Sequence, residues 1–296
     1  MTTTNPLSPE AGLRGILWML LATLLWVGSD TFVKYLSNTY SMPQILWARY
    51  AFHVVLVVLF LGRKLPDAMR TRRPGLQLAR SGLTLISTAM FFYALRFIPI
   101  ADANAVFIVN PVFVTALAVP LLGETVGWRR WLGVAAGLIG ALIIVRPGSG
   151  VMHWAISLAL IAASINAVYQ IATRFLSRFD RAVTTVVYTP LVGFVGTCVA
   201  VPFFWRQPDL QGWLMMGALG ACSGAAHSAL VKAYEAASAA TVTPFGYASL
   251  VWAVLFGFVV FGDLPDWWTV AGASLITMSG LYIFHRERAG IKSRAC

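Results

Sequence analysis

Charged residues are scarce in this sequence, and their scarcity excludes most classes of soluble protein. Asp, Glu, Lys and Arg make up 11% of the 296 residues, whereas about a quarter of the residues in a soluble domain are charged. Hydrophobic residues make up 58%, and the mean hydropathy is +0.75. Apolar runs of roughly 20 residues, long enough to cross about 30 Å of hydrocarbon, follow one another almost to the C-terminus. The chain is therefore predicted to be a polytopic membrane protein with no room for a soluble catalytic domain.

Motifs of ATP-driven proteins and hydrolytic enzymes are also missing. The sequence has no GxxxxGK[ST] phosphate loop, no HExxH zinc motif, no GxSxG nucleophile elbow and no paired carboxylates within predicted helices. Its three cysteines lack metal-ligand spacing: Cys198 and Cys222 are interpreted as small hydrophobic residues, and Cys296 as an incidental tail residue. We therefore expect no enzymatic activity, no metal site and no cofactor.

Acidic residues are outnumbered by basic ones, 11 against 22, which gives a net charge of +11. In a soluble protein this excess would suggest nucleic-acid binding. Here the Lys and Arg residues lie mostly in short segments between apolar runs, where they orient membrane helices. We therefore expect the lipid bilayer as a partner and no nucleic acid.

Turn-forming and charged residues divide the chain into ten predicted spans. The spans cover about 14–36, 43–62, 76–96, 101–122, 129–145, 152–173, 182–204, 212–234, 239–261 and 267–285. The first run is longer than the 7–15-residue core of a signal peptide and has a counterpart later in the chain, so it is interpreted as a helix. Residues 1–13 and 287–296 are predicted to be terminal tails.

The distribution of positive charge predicts the orientation. Ten spans place both termini on the same side of the membrane. If that side is the cytoplasm, the inner segments hold 17 of the 22 Lys and Arg residues, with Arg80 counted among them. The outer segments hold Lys34, Arg96, Arg146 and Arg206, and Arg49 lies within the second span. The positive-inside rule thus predicts a multi-pass protein of the cell inner membrane with cytoplasmic N- and C-termini.

An internal repeat indicates two units of opposite orientation. GETVGWRRWLG at 123–133 recurs 139 residues later as GDLPDWWTVAG at 262–272, with its Gly and Trp spacing kept but Arg129 and Arg130 lost. Because five spans is an odd number, the second unit crosses the membrane in the opposite sense, and its charges differ accordingly. Inverted repeats are a recurring plan of secondary transporters. The alternative is that the protein has this internal symmetry but does not transport a solute.

One stretch resembles a known family. ADANAVFIVNPVFVTALAVPLLGETVGWRRWLGVAAGLIGALIIVRPG (101–148) is similar to the EamA domain of the drug/metabolite transporter superfamily, and 237–284 is a second copy in which Asp263 replaces the usual Glu and the Pro is shifted. The resemblance implies two EamA domains, 14–147 and 148–286. It also implies ten helices, of which helices 5 and 10 are peripheral and the other eight surround a central cavity. Transport of small metabolites without ATP follows from the same resemblance.

Two charged residues within predicted spans are the first candidates for the site. Asp30 lies about six residues from the outer end of the first span, and Arg49 is at a similar depth in the second, so they could form an ion pair. The pair could simply lock two helices together. If it lines the cavity, Arg49 could hold a substrate carboxylate or phosphate, and Asp30 could exchange a proton.

Other polar and aromatic residues within spans complete the predicted cavity. His53 shares a helical face with Arg49, and Asn110 precedes Pro111, which frees a backbone carbonyl. The full set of cavity candidates is Arg49, His53, Tyr93, Asn104, Asn110, Asn166, Tyr169, Gln170, His227, Tyr247, Trp26 and Trp252. Structural hydrogen bonding and ordinary packing are the alternatives for each.

The sequence leaves substrate and direction open. The leading hypothesis is a secondary active transporter that exports an amino acid or an amphipathic metabolite, in exchange for protons through Asp30. The alternative is an uptake permease for a vitamin or nucleotide-like compound such as riboflavin or S-adenosylmethionine. An uncoupled channel and a structural membrane protein are hypotheses of another class. The Gly133–Gly137 spacing could also support a homodimer through peripheral helices.

Overall fold

The computed structural model describes residues 9–122, 128–146, 154–237 and 239–294, and no strand is present within these ranges. The helices are α1 (Pro9–Leu36), α2 (Met42–Leu61), α3 (Leu65–Ala68), α4 (Pro74–Leu95), α5 (Ile100–Phe107), α6 (Asn110–Leu122), α7 (Trp128–Val145), α8 (Trp154–Leu176), α9 (Ala182–Ala200), α10 (Leu210–Ala236), α11 (Ala239–Val242), α12 (Ala248–Phe256) and α13 (Trp267–Arg294). The all-helical prediction is thereby confirmed for the described chain. The Gly-Glu segment at 123–127, the turn at 147–150, the start of the N-terminal tail at 1–8 and Cys296 lie outside the described residues.

Eight helical segments in the described ranges are long and apolar enough to cross a membrane, and the helix Trp131–Val145 within α7 is apolar but shorter. The chain is a multi-pass membrane protein. The apolar length of each predicted span sets its helix, so most ends agree within a few residues. The last helix differs, since it was expected to end near 285 but continues to Arg294. Its final residues, rich in Arg and Lys, are good helix formers even without apolar surroundings.

Two of the membrane segments are interrupted near a proline. The helix stops at Phe107 and begins again at Asn110, one residue before Pro111. In the second half, a 3₁₀ turn at Thr243–Tyr247 contains Pro244 and separates α11 from α12. Proline removes a backbone hydrogen bond and disfavours the α conformation of the residue before it, which explains both breaks. The span predicted as one helix over 101–122 is thus two helices, α5 and α6.

Small residues allow several helices to approach closely. α1 packs against α10, α4 against α8, α7 against α13, and α2 against both α9 and α10. At the crossing of α7 and α13, a Cβ added to Gly140 would lie 2.8 Å from the carbonyl oxygen of Gly272, and a Cβ on Gly272 would lie 2.6 Å from the oxygen of Gly140. The two backbones therefore touch without an intervening side chain.

The glycine spacings noted in the sequence also serve packing within the chain. A Cβ on Gly137 would meet Val112, and Ser279 donates a hydrogen bond to the carbonyl oxygen of Gly133. In α10, a Cβ on Gly220 would meet Phe52 of α2. These faces are occupied within one chain, and a homodimer stays a prediction.

The connecting segments gather at two opposite ends of the helices. At one end, Lys34 pairs with Asp263 at 2.8 Å, and Arg206 donates to the carbonyl oxygen of Thr39 at 3.0 Å. At the other end, the loops around Asp180 meet the loop after α3. We call these the Lys34 end and the Asp180 end. Each end joins the first half of the chain to the second.

Two charged residues lie elsewhere than the sequence suggested. Arg80 was counted with the loop charges, but it lies within α4 and its relative exposure is 0%. Asp102 was not among the predicted candidates, yet it lies in the first turn of α5, with its Oδ1 atom enclosed and without a hydrogen-bond partner. Both errors have the same cause, because charged residues near a span boundary are indistinguishable by sequence from loop residues.

Candidate substrate-binding site

A polar cluster lies where α1, α2 and α10 meet, with one contribution from α5. We call it the Asp30 cluster. Its members are Trp26, Ser29 and Asp30 of α1, Arg49 and His53 of α2, Asn104 of α5, and Ser223 and His227 of α10. Asp30 was predicted to pair with Arg49. The residues that were predicted to line the cavity are Trp26, Arg49, His53, Asn104 and His227. Ser29 and Ser223 were missed because single serines in membrane helices are too common to be informative.

Asp30 is nearly enclosed, with a relative exposure of 8%. The amide nitrogen of Asn104 donates to its Oδ2 atom at 3.4 Å and to the carbonyl oxygen of Ile100 at 3.1 Å. The charge of Arg49 acts on Asp30 through space, but the ion pairs of the described residues do not include a direct contact between the two. The predicted Asp30–Arg49 contact is therefore not formed in this conformation, and the two groups lie on helices that each pack against α10.

Arg49 has unsatisfied hydrogen-bond donors. Its Nε atom is enclosed and has no partner. The other two guanidinium nitrogens also donate to no described residue, but unlike Nε they are not fully enclosed. The guanidinium carbon lies 4.8 Å from the ring centroid of Phe92 and 5.9 Å from that of Tyr50. Cation–π contacts thus hold the charged group while its N–H donors remain available.

Two imidazole rings face each other across the α2–α10 contact. The ring centroids of His53 and His227 are 5.3 Å apart, and Trp26 meets His227 edge-on at 5.6 Å. The Nδ1 atom of His227 lies 2.9 Å from the carbonyl oxygen of Ser223. A carbonyl can only accept, so Nδ1 carries the proton, and in the neutral ring Nε2 is then an acceptor.

A third helix contact holds the predicted amide residues together. Asn110 donates to Asn166 at 3.2 Å and to the carbonyl oxygen of Ala163 at 2.8 Å, and Gln170 donates to Asn110 at 2.6 Å. Asn110 is buried whereas Gln170 is exposed. The network joins the break after α5 to α8, and the proposal that these residues line the cavity stays a prediction.

Arg80 is the centre of a network that the sequence did not reveal. Its guanidinium donates to residues on three helices: Gln77 at 3.2 Å, Tyr169 at 3.2 Å, Thr173 at 2.9 Å, the carbonyl oxygen of Thr185 at 3.4 Å, and Thr189. Tyr169, which was predicted to line the cavity, is thus a partner of Arg80 and also lies against its guanidinium, 4.8 Å from ring centroid to carbon. Pro74 could have revealed the position of Arg80, because proline favours the first turn of a helix. A helix that starts at Pro74 places Arg80 almost two turns inside it.

The Arg80 network continues to the Asp180 end. Gln77 donates to Asp180 at 2.9 Å, the backbone N–H of Arg72 donates to it at 2.9 Å, and Thr71 donates as well. Partial burial raises the pKa of the Asp180 carboxyl, but these three donors outweigh it and hold the pKa below its usual value. Side-chain hydrogen bonds thus connect Asp180 to the membrane interior.

Three predicted aromatic residues lie outside the Asp30 cluster. Tyr93 is 41% exposed and stacks with Phe97 and Trp154, at 5.3 and 5.8 Å between ring centroids. Tyr247 lies against α13, where a Cβ on Gly280 would collide with its hydroxyl. Trp252 donates to Thr23 of α1 at 3.2 Å, two turns before Asp30. Of the three, only Trp252 adjoins the cluster.

The described part of the chain contains no group of three or more His, Cys, Asp or Glu residues that could hold a metal ion. The chemistry available to the Asp30 cluster is therefore ion pairing, hydrogen bonding and ring stacking. Such a combination can recognise a small polar solute with an aromatic part.

Comparison with known proteins identifies the family. The sequence model described as the EamA-like transporter family matches residues 13–146 and, a second time, residues 153–284. The chain belongs to this family. The resemblance to the drug/metabolite transporter superfamily, with two EamA repeats, is thereby confirmed.

Relatives of this EamA-like chain are named as transporters of small molecules. It is 32% identical over 281 residues to a riboflavin transporter of Vibrio cholerae, covering 93% of this chain and 94% of the relative. It is 24% identical over 282 residues to an S-adenosylmethionine uptake transporter of Rickettsia prowazekii, covering 95% and 96%. It is 27% identical over 273 residues to a pseudopaline exporter of Pseudomonas aeruginosa, covering 90% and 94%.

A solved crystal structure shows the same fold. Its TM-score with the EamA-like chain is 0.62 at 19% sequence identity, and the match covers 92% of this chain and 95% of that one. At this identity the likeness concerns the fold alone.

Proposed function

We propose that this EamA-like protein is a secondary permease of the bacterial inner membrane that takes up a vitamin or nucleotide-like metabolite by alternating access. The observation that carries the proposal is the Asp30 cluster, in which a carboxylate and an arginine lie unpaired within membrane helices. Such groups are costly in hydrocarbon and are retained where they face a solute pathway. We infer that the protein is not an enzyme, since its relatives are named as transporters.

We further propose ten spans in two inverted repeats, residues 14–147 and 148–286. The helix contacts support this arrangement. In this arrangement α1, α2, α4 and α6 of the first unit correspond to α8, α9, α10 and α12 of the second. The contact of α1 with α10 then corresponds to that of α8 with α4, and the contact of α2 with α10 corresponds to that of α9 with α4. The contact of α1 with α12 likewise becomes that of α8 with α6, and all six contacts are present. A pseudo-twofold axis relating two inverted units produces this pattern.

The same proposal places the Asp180 end and both termini in the cytoplasm. Without Arg80, which is buried, most of the Lys and Arg residues still belong to that end. The positive-inside rule then supports this orientation. The Lys34 end would face the periplasm.

The aromatic surroundings of the Asp30 cluster favour a flat cargo. Trp26, His53, His227 and Phe92 present rings on four helices around Asp30 and Arg49. Rings of this kind bind heteroaromatic solutes by stacking, while polar groups fix their orientation. Uptake of a riboflavin-like or adenine-containing compound is therefore preferred over export of a plain amino acid.

Export is the second candidate, because one relative is named as an exporter. In both directions we propose that Asp30 couples transport to protons. Its near burial and its long hydrogen bond to Asn104 support this role, because a carboxylate with few partners can gain and lose a proton.

Two measurements test the proposed function. Metabolites inside and outside cells are compared between strains that lack and that overproduce the protein, and we expect a heteroaromatic metabolite to accumulate inside overproducing cells. Purified protein in proteoliposomes is then assayed for uptake of labelled riboflavin and S-adenosylmethionine, with and without a pH gradient. Flux that ignores the gradient would support a channel, and no difference in any metabolite would support a structural role.

A further inference from the structure

Arg49 differs from Arg80, which also lies within a membrane helix, by what it lacks. A guanidinium stays protonated at any physiological pH and offers five N–H donors. In a membrane helix an uncompensated charge is expensive, and charged groups there normally pair with each other or with backbone carbonyls. Arg49 has neither kind of partner among the described residues. The occupant that would complete its hydrogen bonding is therefore absent from the protein itself.

A guanidinium buried elsewhere in the bundle does have partners. The same bundle satisfies Arg80 with acceptors from α4, α8 and α9, so the fold is able to supply acceptors to a buried guanidinium. At Arg49 it supplies the ring faces of Phe92 and Tyr50, which attract a cation without using its N–H groups. The nearest acidic group, Asp30, is held on α1 without direct contact.

From this arrangement we infer that Arg49 binds an anionic group of the cargo, a carboxylate or a phosphate, so that the transported metabolite is an anion and not a neutral vitamin. The inference rests on the proposed function and narrows its substrate class. Carboxylate and phosphate oxygens match the two-pronged donor geometry of a guanidinium, which a neutral carbonyl cannot fully use. The imidazoles of His53 and His227, next to Arg49, are left to contact the aromatic part of the cargo.

Matched ligand pairs test the inference on the purified full-length protein. The pairs are riboflavin with riboflavin 5′-phosphate, which tests a phosphate, and nicotinamide with nicotinate, which tests a carboxylate. Affinities are measured by isothermal titration calorimetry in a detergent without phosphate groups, so that lipid phosphate does not compete. Charge-assisted hydrogen bonds discriminate by about tenfold or more. We expect the wild-type protein to bind the anionic member of at least one pair at least about tenfold more tightly than its neutral counterpart.

Three variants assign that preference to Arg49. In Arg49→Gln the preference should fall to about onefold while the affinity for the neutral member is kept, and Arg49→Lys should retain part of it because the charge remains. Arg96→Gln is the matched control, since Arg96 is exposed near the Lys34 end, and it should keep the wild-type preference. Size-exclusion profiles verify that each variant is folded. If Arg49→Gln does not fold, the result is taken from Arg49→Lys.

The outcomes separate the inference from the proposed function. Equal affinities within both pairs, failure of both anions to bind, or an undiminished preference in Arg49→Gln would overturn the role of Arg49. Transport of a neutral metabolite in proteoliposomes would then leave the permease intact. Absence of any transported metabolite would instead overturn the proposed function.

Discussion

Arg80 and Arg49 both lie within membrane helices, yet their surroundings are opposite. Arg80 is fully buried, and its donors are used by side chains and a carbonyl of α4, α8 and α9. Arg49 has an enclosed nitrogen without a partner and only ring faces beside it. A charged residue inside a bundle is a structural element when the protein itself satisfies its donors. When it does not, the residue is available to a ligand, and substitutions should distinguish the two cases.

The largest effect is expected for Arg80→Leu. The change leaves Gln77, Tyr169 and Thr173 without their partner in a buried environment, which costs about 3–5 kcal/mol. The apparent melting temperature in detergent should therefore fall by about 6–20 °C. Thermal unfolding followed by size-exclusion chromatography measures it.

Arg49→Leu is the matched control for that experiment. Because Arg49 satisfies no other described side chain, its loss should leave the melting temperature unchanged or slightly raised. A similar destabilisation by both substitutions would erase the distinction between the two arginines. Arg80→Lys, which keeps a charge but not the planar group, should fall between wild type and Arg80→Leu.

Arg49→Ala should abolish transport, with uptake reduced at least about tenfold, while the protein stays in the membrane at its normal level. The physical reason is that the cation is used by the cargo and not by the fold. Uptake in cells and immunodetection in membrane fractions measure the two quantities. Disappearance of the protein from the membrane would indicate that Arg49 is structural after all.

Asp30→Asn should abolish proton-driven accumulation and leave counterflow intact. The amide preserves the shape of the carboxyl and still accepts a hydrogen bond from Asn104, but it cannot exchange a proton. Proteoliposomes with an imposed pH gradient measure accumulation, and preloaded vesicles without a gradient measure counterflow. Accumulation equal to that of the wild type would refute coupling through Asp30.

The smallest effect is expected for Asp180→Asn. Because hydrogen bonds hold the pKa of Asp180 below its usual value, its ionised form stabilises the fold at neutral pH, and that stabilisation is lost as the pH falls through the lowered pKa. The variant should lose up to about 1 kcal/mol at pH 7, and the difference from wild type should shrink in acid. Melting temperatures at pH 7 and at several pH values below 3.8, the usual pKa of the carboxyl, measure it.

Asp67→Asn provides the comparison for this last experiment. Asp67 forms exposed ion pairs with Arg181 at 3.0 Å and with Arg70 at 3.7 Å, and such pairs contribute little. We expect a smaller loss than for Asp180→Asn. A larger loss would show that the Arg80 network does not depend on its link to Asp180.

The membrane helices could be predicted from the sequence because the hydrocarbon thickness fixes the length of each apolar run. The two breaks near Pro111 and Pro244 likewise follow from local chemistry. The clustering of Asn110, Asn166 and Gln170 could be predicted since hydrocarbon does not tolerate unpaired amides. In each of these cases the structure depends on local backbone chemistry or on the surrounding hydrocarbon, and not on which distant segments pack together.

The side-chain partners could not be predicted in the same way. Arg80 and its acceptors come from segments about a hundred residues apart, and only the packing of α4 against α8 and α9 brings them together. For Asp30 and Arg49, equal depth suggested contact, but α1 and α2 each pack against α10 and not closely against each other. Depth can be read from residue spacing, whereas the choice of neighbouring helices is set by the packing of the whole bundle.

The crossing of Gly140 and Gly272 has a mechanical consequence. Backbone meets backbone there, and the side chains of Ile144 and Ile276 close on the same crossing, so neither helix can move closer to the other. We expect α7 and α13 to move together as one unit when the other helices open a route past Arg49. An Ala at either position, too bulky for the gap, would push the two helices apart without touching any residue proposed to meet the cargo.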